Sequence, residues 1–425
     1  MKDKGIFEAI VEHNKQSKMR FHMPSHNSNI GGELWRSAQF DLTELDGLDN
    51  LLVCDGVIKN TQNKIAKAYR AVDSLIFTTG STTAMLTAVG VVKNRGNHVV
   101  CVGEMHKSFW NGVLLFGVQA GSVNDIADLD EYMAKSRNIS AIFTTSPNYF
   151  GECKQLDKLR KIADKYGCLL VVDSAHGSHF AFSHLLPDMA SKYAHLSVCS
   201  LHKTMACYGG ASVLNVCDDE LVNTAYYFRN LLHTTSPSYL TMASIDWAID
   251  DMVQNGEKYY QHIKEVVDSL GGSVGEWRVV QNDDFSRLVL QSVNKDARYT
   301  AEYLQSQGVW IEMTYQDKMV FILTPYNIDW LVEAMEIVKE APTKALDKSV
   351  NCQLQLDRGN VQGKVEFVEI EQALGKTSAS EIGIYPPGVP IVKAGDKIDE
   401  EVIKFIKDNK YFVFGLVNGL VAVLQ

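Results

Sequence analysis

Short apolar runs alternate with amphipathic or polar segments from about residue 75 onward. The runs "SLIFTTG", "HVVCVG", "AIFTTSP", "CLLVVD" and "HLSVCS" each have about the length of a buried strand, and most carry β-branched residues. The spacings between them leave room for crossover helices such as "LDKLRKIADKYG". This alternation predicts an α/β fold, with a mostly parallel sheet covered by helices on both faces.

The pattern differs at the two ends of the chain. Residues 5–18 and the stretch "TQNKIAKAYRAV" have helical periodicity, and a long helix is predicted over "LTMASIDWAIDDMVQNGEKYYQHIKEVVDSL". Shorter alternating runs such as "RLVLQSV" and "MVFILTP" follow from about residue 275, and they predict a smaller α+β domain. The predicted division is an N-terminal arm (1–30), a large domain (31–265) and a small C-terminal domain (266–425).

Composition narrows the class of protein without identifying it. The 425 residues are 46% hydrophobic and 22% charged, which is typical of a globular chain with two or three domains. The net charge of −10 argues against a nucleic-acid partner. Eight cysteines without a CxxC pair give no support for a metal site, and they predict a reducing, cytoplasmic environment. The longest apolar stretch, "YFVFGLVNGLVAVLQ", is too short to span a bilayer.

Two of the predicted strands are followed by groups that suit a planar, phosphorylated ligand. In "TTGSTTA", Gly80, Ser81 and Thr82 precede an apolar helix, and free amides at a helix N-terminus suit a phosphate. An ordinary helix cap is the alternative there. His106 follows "HVVCVG", where its ring could stack on a cofactor or serve as an ordinary loop residue.

Two further strand ends carry an acid and a lysine. Asp173 ends "LLVVD", where a buried carboxylate is costly unless a cation or several donors accompany it. His176 and His179 lie close by, so a metal pair or a capping role for Asp173 is the alternative. Lys203, in "SLHKT", follows the next apolar run, and a lysine placed there pairs with an acid or forms an imine.

Together these groups match the needs of pyridoxal phosphate (PLP). That cofactor requires an imine-forming lysine, an acid at its ring nitrogen, a stacking group and a phosphate site. Asp173 precedes Lys203 by about thirty residues, with one strand between them. Both can therefore reach a single site from neighbouring strand ends.

The order of the motifs carries a family resemblance that covers residues from about 20 to about 400. The segments are "FHMPSH", "DLTELDGLDNLLVCDGVIKNTQNKIAKAYRA", "GST", "HKS", "TSPNYFG", "DSAHGSHF", "SLHKT" and "YPPGVPIVKAGD". In this order the chain resembles the ornithine/lysine/arginine decarboxylases, especially their shorter bacterial members. These are PLP-dependent enzymes of the aspartate-aminotransferase fold (fold type I). The resemblance implies a large domain with a mostly parallel seven-stranded sheet and a smaller α+β C-terminal domain.

The resemblance also implies residue roles. Lys203 would hold the cofactor as an aldimine, Asp173 would pair with the ring nitrogen, and His106 and Ala175 would lie on opposite faces of the ring. His176 aligns within the same site. The phosphate would be bound by Gly80, Ser81, Thr82, Ser200 and His202. Family members are dimers or larger, with "DLTELDGLDN" near the partner's cofactor.

The implied reaction is decarboxylation of a basic amino acid (arginine, lysine or ornithine) to CO2 and a (poly)amine through a quinonoid. Where the family has Ser-Ala-Glu before Tyr-Pro-Pro-Gly, this chain has Ser380 at the acidic position and Glu381 beside it. Both are candidate substrate residues. An aminotransferase or another lyase is the alternative, with Arg287 among the arginines that could clamp the α-carboxylate. A non-catalytic relative is a third hypothesis.

Overall fold

The computed structural model describes residues 4–16, 24, 36–346, 363–384, 390–409 and 413–425. The motif "YPPG" and all of "FHMPSH" except Pro24 lie outside the described residues. The remaining motifs lie within them. Among the described helices, none combines the length and the apolar character needed to cross a membrane.

Seven strands form one mostly parallel sheet, as the sequence predicts. Their order is β1-β7-β6-β5-β4-β2-β3. Strand β7 runs antiparallel to both of its neighbours, whereas β5 and β6 pair in parallel, as do β2 and β3 and also β2 and β4. The strands are β1 (Asp73–Phe77), β2 (His98–Val102), β3 (Gln119–Val123), β4 (Ile139–Thr145), β5 (Leu169–Asp173), β6 (Leu196–Cys199) and β7 (Ser212–Val216).

Strand β3 was not predicted, and its composition explains why. Its sequence "QAGSV" is small and polar, and the strand lies at the edge of the sheet. Edge strands bury less of their surface, so selection for apolar, β-branched residues is weaker there. The other six strands correspond to apolar runs in the sequence.

The described residues before 270 form eight α-helices, and the predicted helices are among them. The helix α2 begins four residues before "TQNK", because the Asp49 carboxylate accepts hydrogen bonds from the amides of Gly56 (2.8 Å) and Ile58 (2.9 Å) at its start. The helices are α1 (Ile6–Gln16), α2 (Val57–Tyr69), α3 (Ser81–Lys93), α4 (Lys107–Phe116), α5 (Ile126–Lys135), α6 (Leu156–Tyr166), α7 (Asp219–Leu232) and α8 (Tyr239–Ser269).

An antiparallel sheet of order β11-β12-β10-β9-β8 follows the long helix α8. The predicted runs "RLVLQSV" and "MVFILTP" give its central strands, β10 and β12. Two helices accompany this sheet. The elements are β8 (Ser273–Val274), β9 (Trp277–Val280), β10 (Arg287–Gln291), α9 (Ala297–Ser306), β11 (Met313–Tyr315), β12 (Lys318–Ile322) and α10 (Leu331–Glu340).

Two small sheets form the C-terminal part, with orders β13-β19-β14 and β16-β15-β17, and β18 pairs with β19. They share an apolar core that includes Ile382, Ile406 and Val423. The elements are β13 (Val365–Val368), β14 (Thr377–Ser378), β15 (Ile382–Ile384), β16 (Pro390–Val392), α11 (Glu400–Asp408), β17 (Val413–Phe414), β18 (Leu416–Val417) and β19 (Leu420–Leu424).

The chain forms two compact units that interleave along the sequence. The boundaries predicted at residues 30 and 265 stay predictions. The first unit comprises Met1–Arg95, Gln155–Lys161 and Leu169–Gln261, and the second comprises Gly96–Lys154, Ile162–Cys168 and His262–Gln425.

Candidate active site

The start of α3, in the first unit, has the backbone of an anion site. Gly80 precedes the helix with φ of +88°, a left-handed value that a side chain would strain. A Cβ atom at Gly80 would have no atom within 4 Å, so open space borders this turn. Because the residue before the helix is glycine, it has no side chain that could cap the helix by a hydrogen bond. The first-turn amides and the positive end of the helix are therefore suited to a bound phosphate.

One short segment holds this turn and the lysine turn together. The amide of Gly80 donates to the Gly210 carbonyl (2.9 Å), and the next carbonyl, that of Ala211, accepts from both the amide (3.3 Å) and Nδ1 (2.9 Å) of His202. A Cβ atom at Gly210 would lie 2.6 Å from the Thr78 carbonyl oxygen, so this close approach requires glycine. Ser200, fully buried, places its hydroxyl 3.4 Å from His202 Nδ1. No local pattern in the sequence predicted this role for Gly210 and Ala211.

Lys203 and Asp173 lie at the same end of the sheet. Asp173 is the last residue of β5, and Lys203 ends the 3-10 turn that follows the parallel neighbour β6. Lys203 Nζ lies 3.1 Å from His176 Nε2. The structure thus brings together the three side chains that the motifs "DSAH" and "SLHKT" supply.

Burial dominates the electrostatics of Asp173. Its side chain is 5% exposed, and desolvation raises the pKa of its carboxyl group. The Lys203 charge and the Ala175 amide, which donates to Oδ1 (3.1 Å), lower that pKa but do not cancel the shift. A carboxylate in this state is stabilised by a further cation, and a protonated ring nitrogen is one. The site therefore fits the predicted cofactor.

Thr204 and His179 lie close in sequence to Lys203 and His176, respectively. Thr204, next to Lys203, has a buried hydroxyl without a hydrogen-bond partner in the part of the chain that the structure describes. A bound polar group could satisfy it. His179, weighed above as one of a metal pair, instead stacks on Tyr260, with ring centroids 5.2 Å apart.

His106, in the second unit, caps α4. Its Nδ1 accepts a hydrogen bond from the Ser108 amide (3.2 Å) and lies 2.9 Å from the Ser108 hydroxyl. The ring is half-buried and fixed in orientation by these contacts. The contacts of Nδ1 with Ser108 are those of an ordinary loop residue, the alternative given in the sequence analysis. Stacking of the His106 ring on a cofactor stays a prediction.

The same unit connects α4 with the C-terminal strands. Lys107 Nζ lies 5.0 Å from the centroid of the Phe414 ring, and Lys393 Nζ lies 4.5 Å from the centroid of the Trp110 ring. Phe414 pairs with Gly383 on β15. The helix that His106 caps therefore contacts β17, the strand that pairs with β15 directly after Glu381, although the helix and the strand are far apart in sequence.

Ser380 and Glu381 directly precede β15, whereas Arg287 belongs to another sheet. The side chain of Glu381 is buried, with 5% of the residue exposed. The Ser380 hydroxyl makes a long hydrogen bond (3.4 Å) to the Gly415 carbonyl. Arg287 begins β10, where it is buried, and its carbonyl accepts from Asn282 Nδ2 (2.7 Å). Arg287 therefore belongs to the five-stranded sheet, whereas Ser380 and Glu381 precede a strand of a different sheet.

Comparison with known proteins gives two family matches. Residues 5–120 and 122–277 match the family described as "Orn/Lys/Arg decarboxylase, major domain". Residues 336–413 match "Orn/Lys/Arg decarboxylase, C-terminal domain". The two matches cover most of the chain, in the order expected for one protein of this family.

Individual relatives are distant but nearly full-length. An arginine decarboxylase of Bacillus anthracis is 23% identical over 95% of this chain and 92% of its own length. A lysine decarboxylase A of Pseudomonas aeruginosa aligns with a TM-score of 0.79, at 16% identity, over 99% of this chain and 80% of its own. SPT with a PLP internal aldimine aligns over 80% and 86%, at 12% identity, with a TM-score of 0.56. The fold is therefore that of PLP fold type I.

Proposed function

This chain belongs to the Orn/Lys/Arg decarboxylase family, and from that premise we propose that it uses PLP to decarboxylate a basic amino acid. Family membership makes it an amino acid decarboxylase, so the aminotransferase and non-catalytic hypotheses are not retained. One observation carries the proposal: Lys203 and the buried Asp173 share one end of the sheet, with His176 in contact with the lysine.

The residues of the first unit would hold the cofactor. Lys203 would bind its aldehyde carbon, Asp173 its ring nitrogen, and the α3 turn with Ser200 and His202 its phosphate. When bound, PLP supplies an electron sink for the pair released as the carboxylate leaves. Asp173 is suited to keep a proton on the ring nitrogen, because an ionised carboxylate in a desolvated site favours a neighbouring cation. His176 orients the Lys203 amine by its 3.1 Å contact.

The residues of the second unit would bind the substrate. The buried Glu381 carboxylate suits the distal cation of arginine, lysine or ornithine, because an ion pair in a desolvated site is strong.

His106 would lie on one face of the cofactor ring and Ala175 on the other. Decarboxylation consumes one proton, and either Lys203 or His106 would deliver it to the α-carbon.

A substrate panel tests this proposal. The purified protein, supplied with PLP, is incubated separately with arginine, lysine, ornithine, glutamate and leucine, and both CO2 and the product amine are measured. Arginine is the first choice, because the nearly full-length curated relatives include arginine decarboxylases. We expect equimolar CO2 and amine from a basic substrate only. Release from glutamate or leucine but from none of the basic amino acids would overturn the proposal.

We also propose a homodimer with shared active sites. An apolar groove of about 630 Å³ on the first unit supports it, with Phe7, Phe40, Tyr208 and Trp247 in its lining. Tyr208 and Trp247 are 51% and 43% exposed, and exposed aromatic side chains of this kind are typical of interfaces. Light scattering of the holoenzyme tests the proposal, and a mass of one chain at micromolar concentration would contradict it.

A further inference from the structure

The turn that precedes α3 is anchored by a histidine of another element. The Thr78 amide donates to His233 Nε2 (3.0 Å), and His233 Nδ1 lies 3.0 Å from the Thr234 carbonyl oxygen. An amide can only donate and a carbonyl can only accept. Nε2 is therefore the unprotonated acceptor and Nδ1 carries the hydrogen, so the bond from Thr78 requires the neutral ring.

The surroundings of His233 favour that neutral state. The residue is 6% exposed, and its ring centroid lies 5.7 Å from that of Phe77, the last residue of β1. Burial lowers the pKa of His233 below its ordinary value of 6.5, and the charge of Arg229 on α7 adds to this effect. The Thr234 carbonyl opposes it but does not reverse it. Arg229 itself is fully buried, with its guanidinium over the Tyr226 ring at 4.8 Å.

Thr78 is held from two further sides. Its hydroxyl accepts a hydrogen bond from the Ser238 amide (3.4 Å), and its carbonyl lies so close to Gly210 that a Cβ atom there would be 2.6 Å away. Two residues later, the Gly80 amide donates to the Gly210 carbonyl (2.9 Å). His233 thus supports the short turn that directly precedes the first-turn amides of α3, at a position bordered by open space.

We propose that His233 is a positioning residue for the phosphate of the cofactor, fixing the Thr78–Gly80 turn only while its ring is neutral. The inference rests on the proposed use of PLP and adds a residue that neither the motifs nor the family resemblance assigned. Protonation of Nε2 would set one N–H group against another and add a charge beside Arg229. The turn would then lose its anchor.

This predicts a direction for the pH dependence of cofactor binding. A histidine whose pKa is lower in the folded protein stabilises the fold above its unfolded pKa, and that stabilisation is lost as the pH falls through the folded pKa. The cofactor-bound state needs the intact turn, so its retention should decline as the pH falls below about 6.5. The phosphate also titrates in this range, and comparison with a matched variant removes that contribution.

The variants are His233→Gln and His233→Leu. The glutamine Oε1 can occupy the position of Nε2 and accept from Thr78, but it does not titrate. The leucine fills the space and leaves the Thr78 amide without an acceptor. Each holoenzyme is diluted at about pH 5.5 and about pH 8, and loss of the bound-cofactor absorbance gives a dissociation rate. Thermal unfolding of each protein checks that it is folded.

We expect His233→Leu to release the cofactor roughly tenfold faster or more at the higher pH, consistent with one lost buried hydrogen bond. His233→Gln should match the wild type at that pH and should show a smaller increase in rate at the lower pH. KM for the amino acid at saturating cofactor should stay within about twofold in both variants. Wild-type release rates in folded His233→Leu, or an equal pH increase in His233→Gln and wild type, would overturn the inference.

The same experiment separates this inference from the proposed function. If the wild type shows no bound-cofactor absorbance and no CO2 release, both proposals fail. If the wild type binds PLP and the three proteins release it alike, only the role of His233 fails, and the assignment as a PLP-dependent decarboxylase stands.

Discussion

The two units contain two clusters of candidate residues that differ in how they are built. The first-unit cluster consists of Gly80, Asp173, His176, His202 and Lys203, and each of these ends a strand of the same sheet or follows one within a few residues. The second-unit cluster consists of His106, Lys107, Ser380, Glu381 and Phe414, and it depends on contacts between α4 and the C-terminal strands. In the proposed function, strand-end motifs would bind the cofactor, whereas a remote segment of chain would recognise the substrate.

This difference predicts that substitutions in the first-unit cluster reduce the rate with any substrate. Substitutions of Ser380 and Glu381 in the second-unit cluster should instead change the choice of substrate and the KM.

Lys203→Ala should lower kcat by roughly a thousandfold or more, because it removes the amine proposed to bind the cofactor. CO2 release at saturating substrate and cofactor measures it. The matched control is Lys192→Ala, which removes a half-exposed lysine of the same unit paired with Asp188 and should leave kcat within about twofold. More than about a tenth of the wild-type rate in Lys203→Ala would contradict its role.

Asp173→Asn should lower kcat by roughly a hundredfold while the cofactor stays bound. Asparagine preserves the shape of the side chain and can still accept from the Ala175 amide. It removes the negative charge that, in the proposed function, would keep a proton on the ring nitrogen. Steady-state kinetics over the substrate panel measure the effect, which should be the same for every substrate that the wild type accepts. A change confined to KM would contradict the assignment.

The same substitution should stabilise the cofactor-free protein at neutral pH. The pKa of Asp173 is raised on folding, so the ionised carboxylate costs stability once the pH passes above 3.8 and through the raised folded pKa. Asparagine carries no such cost. We expect a higher Tm for cofactor-free Asp173→Asn at about pH 7, and a smaller difference as the pH approaches 3.8.

A buried acid of the second unit provides the control for that stability measurement. Asp284 accepts hydrogen bonds from the amide (3.0 Å) and the hydroxyl (2.6 Å) of Ser286. Asp284→Asn should therefore lower the Tm, because it weakens satisfied hydrogen bonds. If Asp173→Asn also lowered the Tm of the cofactor-free protein, the charge on Asp173 would be compensated within the protein itself.

Glu381→Gln should raise KM for the preferred basic amino acid by roughly tenfold to a hundredfold, the value of a charge-assisted hydrogen bond in a desolvated site. Its kcat should change less than that of Asp173→Asn. KM and kcat from CO2 release separate the two effects. An unchanged KM with a reduced kcat would remove Glu381 from substrate recognition.

Ser380→Ala gives the smallest expected effect and serves as the control for Glu381. Among the residues that the structure describes, the Ser380 hydroxyl donates a single long hydrogen bond (3.4 Å) to the Gly415 carbonyl, so its loss should change KM by no more than about threefold. A larger increase than that of Glu381→Gln would assign substrate recognition to Ser380, at the position where the family motif has its acid.

The first-unit cluster could be predicted from the sequence because its residues lie at strand ends, whereas the second-unit cluster depends on contacts between remote segments. Asp173 and Lys203 were predicted because a polar residue that ends an apolar run must lie at the end of a buried strand, and parallel neighbours bring such ends together. Five of the seven strands of that sheet were predicted from such apolar runs. Periodicity carries this information locally.

Other features left no local signal. Lys107 and Phe414 are in contact although they are 307 positions apart in the sequence (414 − 107), and no short-range sequence pattern specifies that contact. His233 occurs in the unremarkable stretch "LLHTTSP", and only the 3.0 Å contact with Thr78 shows what its ring does. Gly210 is a similar case, because the need for glycine arises from the neighbouring Thr78 carbonyl.

Borohydride reduction of the PLP-loaded protein, followed by peptide mass mapping, tests the central claim most directly. Reduction fixes the cofactor permanently to whichever amine holds it. We expect one modified peptide, containing "SLHKT", with the added mass on Lys203. A modified peptide that carries the cofactor on another lysine, such as Lys59 or Lys393, or no modified peptide at all, would contradict the account.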